Sequence, residues 1–320
     1  MRIGIDLGGS KIEGILLDGE GRERARIRVR TPPNDYAATV ATVSSVVAEL
    51  DARTDGEASV GVGIPGAISP ATGLIKNANA TWLIGRRLDH DLAAALGRFV
   101  RIANDANCFA VSEAVDGAGA GAGVVFGVIL GTGVGGGIAI DGQALTGANA
   151  IAGEWGHNPL PWARVDELPG APCYCGKRGC IETYLCGSGI TRAFLARSGH
   201  EADAATVASL AEAGDQAARE VIGAHADWLA RALASVINIL DPDVIVLGGG
   251  LSNIASLYDE VPRILPRWVF SDRVTTRLSR NRHGDSSGVR GAAWLWPPAS
   301  GPRRNDAADL STLAGEEASR

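Results

Sequence analysis

The chain has 320 residues, 46% of them hydrophobic, enough for about two domains with cores of their own and no need of disulfide support. Its 43 glycines are about twice the usual share of roughly 7%, yet 14 prolines and the lack of a G-X-Y period exclude collagen and low-complexity disorder. With 30 Lys and Arg against 36 Asp and Glu, the net charge of −6 leaves no broad basic surface for a nucleic-acid backbone.

The opening MRIGIDLGG has no apolar signal core. The apolar stretch at residues 124–140 is shorter than the roughly 20 residues of a membrane span and is crowded with glycine. A cytoplasmic protein with reduced cysteines and no nucleic-acid or membrane partner is therefore expected. IGID and IEGILL alternate apolar and polar residues around LGGSK, which predicts two antiparallel strands joined by a glycine turn. RERARIRVR predicts a third strand, with Arg22, Arg24, Arg26, Arg28 and Arg30 on one solvated face and Ile27 and Val29 on the other. Residues 35–53 read as a helix, VGVGIPG as a buried strand entering a loop, and LDHDLAAALG as a helix with a glycine stop. Strand VRIAN and helix DANCFAVSEAVDGA follow.

The glycine-alanine run at residues 117–123 is predicted as an interdomain hinge that closes an N-terminal α/β domain at residue 118, because few side chains are left to make crossing contacts. VVFGVIL, the turn GTGVG and GGIAIDG then repeat the design of strand, glycine turn, strand, an internal duplication in form. Residues 206–240 are alanine-rich and helical, VIVLGGG is a strand with a glycine end, and GVRGAAWLW is a short last helix. A larger C-terminal α/β domain is expected over 119–289, a terminal helix at 290–300 placed to return to the N-terminal domain, and a disordered tail at 301–320.

No G-x-x-x-x-G-K-[ST] occurs, so a P-loop is excluded. Gly131, Gly133 and Gly136 satisfy G-x-G-x-x-G, but the following GGIAIDG alternates like a strand, and the helix N-terminus that a dinucleotide site needs is missing. What remains is a pair of hairpin turns, one at Gly8, Gly9 and Ser10, the other at Gly131, Thr132 and Gly133. Bare amides in such turns form anion nests, and two nests across a cleft can hold a triphosphate. Asp6, two residues before the first turn, would point into that cleft and hold Mg²⁺ through water; the alternative is a buried Asp6 between two ordinary hairpins.

Cys173, Cys175 and Cys180 fall in PCYCGKRGC, with 15 residues between His157 and Cys173. Three thiolates and an imidazole make a closed tetrahedral zinc site of the structural kind, with Gly176 and Gly179 letting the loop turn around the ion. Cys108 and Cys186 read as small buried side chains. Asn104, Asp105, Glu154 and Glu182 offer the carboxylates and amides that suit neighbouring sugar hydroxyls, although Asn104 equally suits a helix N-cap.

DLGGSK, LGTGVGGG and VLGGG together resemble the sugar-kinase branch of the actin-like ATPase fold. The resemblance implies an α/β protein of two ribonuclease-H-like domains with ATP and the active site in the cleft between them. It implies that Asp6, Gly8, Gly9, Ser10, Lys11, Gly131, Thr132 and Gly133 serve the phosphates, with Gly248 and Gly249 beside the adenosine. Ser10 stands where the family usually has Thr and keeps the hydroxyl. C-x-C-G-x-x-G-C-x-E over residues 173–182, with E-x-G-H over residues 154–157, resembles the signature of the ROK family of sugar kinases and sugar-responsive repressors. KNANATWL and GEWGHNPLPW resemble most the wording of its fructokinase (manno-fructokinase) subgroup.

By that resemblance Asp105 is the catalytic base, and Gly66, Asn79, Asn104, Asp105, Glu154, His157 and Glu182 line the sugar. His157 would serve zinc, beside Cys173, Cys175 and Cys180, through one ring nitrogen and a sugar hydroxyl through the other. At an ordinary pKa of roughly 3.9, Asp105 would be ionised at neutral pH, as a base must be. The implied activity is ATP- and Mg²⁺-dependent phosphorylation of a hexose at its 6-hydroxyl, D-fructose first and mannose besides. Glucose or an N-acetylhexosamine are the alternative substrates, and a sugar-sensing ROK repressor is the alternative of another class. A repressor would carry an N-terminal helix-turn-helix, for which a first strand at Arg2 leaves no room. A homodimer is expected by resemblance alone.

Overall fold

The computed structural model describes residues 1–54, 56–284 and 287–296. The tail expected at 301–320 lies outside the described residues. β1 (Arg2–Leu7), β2 (Lys11–Leu17) and β3 (Glu23–Arg30) form an antiparallel meander. α1 (Tyr36–Asp51) starts at Asp35, whose carboxylate accepts the Ala38 N–H at 2.9 Å, and leads to β4 (Ser59–Ile64), which adds parallel to β1. A small hairpin, β5 (Ala67–Ile68) and β6 (Ile75–Lys76), precedes α2 (Leu88–Leu96), which Gly97 ends in the left-handed region. β7 (Val100–Asn104) completes a sheet of order β3-β2-β1-β4-β7 and runs straight into α3 (Asp105–Val115).

The second half repeats this plan. β8 (Val124–Leu130), β9 (Val134–Ile140) and β10 (Gln143–Ala144) are antiparallel, and a helical insertion follows them: α4 (Ile181–Leu185), α5 (Gly187–Ser198), α6 (Ala204–Ala213) and α7 (Gln216–Leu240). β11 (Val244–Gly248), α8 (Leu257–Ile264), β12 (Arg277–Arg280) and α9 (Ser287–Trp294) end the described chain. The sheet order is β10-β9-β8-β11-β12, with β11 and β12 parallel, so the duplication read from the glycine turns is one of topology. This is the actin-like ATPase fold. The helical stretch at 206–240 is two helices, because Gly214 takes a φ of 102° and Asp215 caps the second by accepting the Ala218 N–H at 2.8 Å.

The helix that follows each sheet packs on the other one. α3 lies chiefly against β8 and β9, α9 against β1 and β4, and the two helices cross each other. Glycine makes this possible. A Cβ on Gly137 would stand 2.2 Å from the Ala106 carbonyl oxygen, one on Gly61 1.9 Å from that of Ala292, and one on Gly291 1.6 Å from that of Cys108. Much of the glycine excess therefore serves close helix approach, a use the sequence reading assigned only to turns and loops.

The run at 117–123 is anchored at its start by Glu113. Glu113, wholly buried, accepts from the Ala118 N–H (2.9 Å), the Arg282 N–H (3.1 Å) and the Ser287 hydroxyl (2.8 Å). A buried carboxylate needs such partners, and here it draws them from both halves of the chain.

Three cores result. One lies between the first sheet and α1 and α2, one between the two sheets around α3 and α9, and one between the second sheet and α4 to α8. The β3 arginines share a face with Glu13 of β2, which is 1% exposed and pairs with Lys11, Arg26 and Arg28. Burial works to raise the Glu13 pKa, but the Arg28 hydrogen bond and the surrounding cations hold it below the usual range. Among the described residues no helix is long and apolar enough to cross a membrane.

Candidate functional site

Both glycine turns sit at the carboxyl ends of the central strands, β1 and β8, where α/β folds leave a crevice for ligands. Each is closed by its own backbone. Gly8 N–H donates to the Lys11 carbonyl and Gly131 N–H to that of Gly133, both at 3.0 Å. Thr31 fixes the first turn from β3, its hydroxyl donating to the Gly8 carbonyl at 2.7 Å. Among the described residues no internal acceptor takes the N–H of Gly9 or Thr132 at the two tips.

Asp6 and Asp105 enter the same space from β1 and α3. Burial first, then the charges of Asp105 and Glu13, raises the Asp6 pKa to about 6, against the pull of Lys11. Asp105 opens to the cleft yet is crowded by protein on most sides. That crowding raises its pKa; the Ala106 N–H, at 2.8 Å, opposes the rise, and the Glu154 charge adds to it. The ordinary pKa assumed from the sequence is thus corrected upward, because the burial that chiefly raises it, and the Glu154 charge beside it, arise only in the fold. Asn104 is the N-cap of α3, its Oδ1 accepting the Ala106 N–H (2.9 Å), while its Nδ2 donates to the Gly66 carbonyl (3.1 Å). Gly66 has a φ of 85° and packs where a Cβ would meet the Lys76 carbonyl at 2.4 Å; Asn79 is exposed in the adjoining loop.

His157, Cys173, Cys175 and Cys180 converge, their donor atoms all within 4.8 Å of one another. Cys173 Sγ lies 3.5 Å from His157 Nδ1, and the Cys175 and Cys180 sulfurs are 3.6 Å apart. Bonds of roughly 2.0–2.3 Å to a tetrahedral zinc set donor separations of about 3.4–3.8 Å, so these residues fit the ion. Gly176 and Gly179, at φ 86° and 67°, make the turns of the loop. His157 Nε2, the remaining ring nitrogen, faces the Tyr174 hydroxyl at 2.9 Å. Glu182, opening α4, accepts the Val134 N–H at 3.0 Å with Oε2, while Oε1 lies 3.9 Å from Cys173 Sγ. It joins the cysteine loop to the second glycine turn, a link that the spacing of residues 173–182 does not reveal. Cys108 and Cys186 are buried, apart from this cluster.

A cavity of about 760 Å³ opens beside the second turn, lined by Gly131, Thr132, Ser188, Asp203, Ala208, Gly250 and Asn253 among others. Its size suits a nucleoside. Gly248 and Gly249 lie at the end of β11 next to it: a Cβ on Gly248 would meet the Phe109 ring at 2.5 Å, one on Gly249 the Leu130 carbonyl at 2.4 Å. Gly250 is the glycine of VLGGG that reaches the cavity. Ser188 and Asp203 went unread in the sequence, although Asp203 carries a visible signal as the N-cap of α6, accepting the Thr206 N–H at 2.8 Å.

The ROK family profile matches residues 2–299. The chain belongs to the ROK family. An N-acetyl-D-glucosamine kinase of Citrobacter koseri is 42% identical over 302 residues, covering 92% of this chain and 99% of that protein. Among solved structures, a ROK hexokinase from Thermus thermophilus superposes with a TM-score of 0.80 at 29% identity, over 92% of this chain and 96% of that one. A ROK glucokinase from Streptomyces griseus, solved with glucose and AMPPNP, gives 0.72 at 28%, over 91% and 97%. Family and relatives together make the chain a ROK sugar kinase that uses ATP. The fructokinase subgroup suggested by KNANATWL and GEWGHNPLPW is not supported: short ROK motifs carry family membership and do not fix which hexose the pocket takes.

Proposed function

We propose that this ROK kinase transfers the γ-phosphoryl group of Mg-ATP to the 6-hydroxyl of N-acetyl-D-glucosamine. The observation that carries the choice of sugar is the 42% identity, over 92% of the chain, with a kinase named for it. In this reading the tip amides of the two turns, with Ser10 and Lys11, hold the phosphates, Asp6 faces the magnesium ion of the nucleotide, and the 760 Å³ cavity takes the adenosine. Phosphoryl transfer has a loose transition state, so positioning and charge neutralisation do most of the work. Asp105 accepts the proton of the attacking hydroxyl, while Gly66, Asn79, Asn104, Glu154, His157 and Glu182 orient the sugar. Zinc, where bound by the cysteines and His157, supplies structural order.

A coupled ADP-release assay over N-acetylglucosamine, N-acetylmannosamine, glucose, mannose and fructose tests the sugar. N-acetylglucosamine is expected to give the highest kcat/KM, exceeding fructose by about tenfold or more. A higher value for fructose would refute the choice.

The raised carboxyls also shape the pH profile. Burial raises both Asp105 and Asp6, the latter to about 6, so kcat/KM is expected to fall on acidification with a limb near pH 6 from Asp6. A limb near pH 4 would contradict the placement of these groups. The same upward shift means that Asp6 adds stability below about pH 4 and that this is lost as the pH rises through about 6.

A further inference from the structure

Tyr174, between two cysteines of PCYCGKRGC, has no part in holding a metal and none in the sugar set above. Its ring is 84% exposed and meets His157 edge-on, with centroids 5.0 Å apart and planes at 87°. Among the described residues its hydroxyl approaches His157 Nε2 at 2.9 Å. The other ring nitrogen, Nδ1, faces Cys173 Sγ at 3.5 Å within the metal-binding cluster. A neutral imidazole bound to a metal through Nδ1 keeps its proton on Nε2, so Nε2 can only donate, and to one well-aligned oxygen at a time. The cysteine loop thus fixes the tautomer, and in this conformation Tyr174 supplies the accepting oxygen.

We propose that Tyr174 is a tethered occupant of the sugar subsite. Its hydroxyl holds the His157 Nε2–H until a sugar hydroxyl displaces it, and Tyr174 thereby sets how tightly the sugar binds. This rests on the reading of His157 as a sugar ligand. The exposure of the ring matters here, because a side chain with so little packing swings away at the cost of one hydrogen bond and no core contact. Glu182 and Glu154 are close enough to act on the same phenol, whose pKa is pushed up to about 12 by desolvation first and then by these charges.

The test is calorimetric titration of the zinc-loaded enzyme, without nucleotide, with whichever hexose gives the highest kcat/KM in the panel. Tyr174→Phe is expected to lower the sugar Kd by about 2- to 10-fold, since a neutral hydrogen bond no longer has to be broken. A zinc-to-protein ratio equal to that of the parent shows that the loop is intact in the variant. An unchanged or raised Kd overturns the proposal. Because the titrant comes from the panel, an error in the choice of acetamido sugar appears there and leaves the parent-to-variant comparison standing.

Discussion

Asp105→Asn is expected to lower kcat by about a hundredfold or more while leaving thermal unfolding within a few degrees of the parent. A positioned general base contributes roughly 10²- to 10⁴-fold, and an amide cannot accept the proton of the sugar hydroxyl. The substitution keeps the shape of the side chain, and the helix cap survives because Asn104, the N-cap of α3, still accepts the Ala106 N–H with its Oδ1 at 2.9 Å, and the Oδ1 of an asparagine at 105 can accept it as Asp105 does. It also removes one of the negative charges that raise Asp6, so the remaining acid limb moves toward lower pH. Steady-state rates and a melting curve check both halves. Activity within about tenfold of the parent would remove Asp105 from the role of base.

The second large effect is expected from the metal. Chelation is predicted to lower the melting temperature by about 10 °C or more and to raise KM for both sugar and ATP, with recovery on adding Zn²⁺. Structural zinc sites bind with roughly 10–16 kcal/mol, comparable with the roughly 5–15 kcal/mol net stability of a domain. The sugar is affected because, in the proposed function, His157 serves both the metal and the sugar. The nucleotide is affected because Cys180 immediately precedes α4, from which Glu182 holds the Val134 N–H beside the second glycine turn. Burial pushes the Cys180 thiol up to about 12 and raises Cys173, so metal capture displaces protons and weakens on acidification. Chelated protein with unchanged melting temperature and KM values would show that the cluster orders nothing.

Local features were legible in the sequence because local chemistry dictates them. The two glycine turns, the helix start at Asp35, the stop at Gly97 and the cysteine loop with its positive-φ glycines each follow from a few adjacent residues. The repeated hairpin also announced the duplicated topology. That α3 lies on the second sheet was not legible, since Gly137 looks like any strand glycine until a helix from elsewhere in the chain lies on it. The same limit applies to the packing of Phe109 on Gly248 and to Glu182, whose partner Val134 is 48 residues away. The raised pKa of Asp105 was not legible, because the burial that chiefly raises it, and the Glu154 charge that adds to it, arise only when the two halves of the molecule come together.

The most direct measurement is NMR of the product formed from N-acetyl-D-glucosamine and Mg-ATP by the parent enzyme and by Asp105→Asn. The parent is predicted to consume ATP stoichiometrically and to give a single phosphomonoester, with ³¹P coupling to the two C6 protons, while the variant gives the same product at a rate lower by about a hundredfold or more. No phosphorylated acetamido sugar from the parent, a phosphate on another hydroxyl, or an undiminished rate in the variant would contradict it.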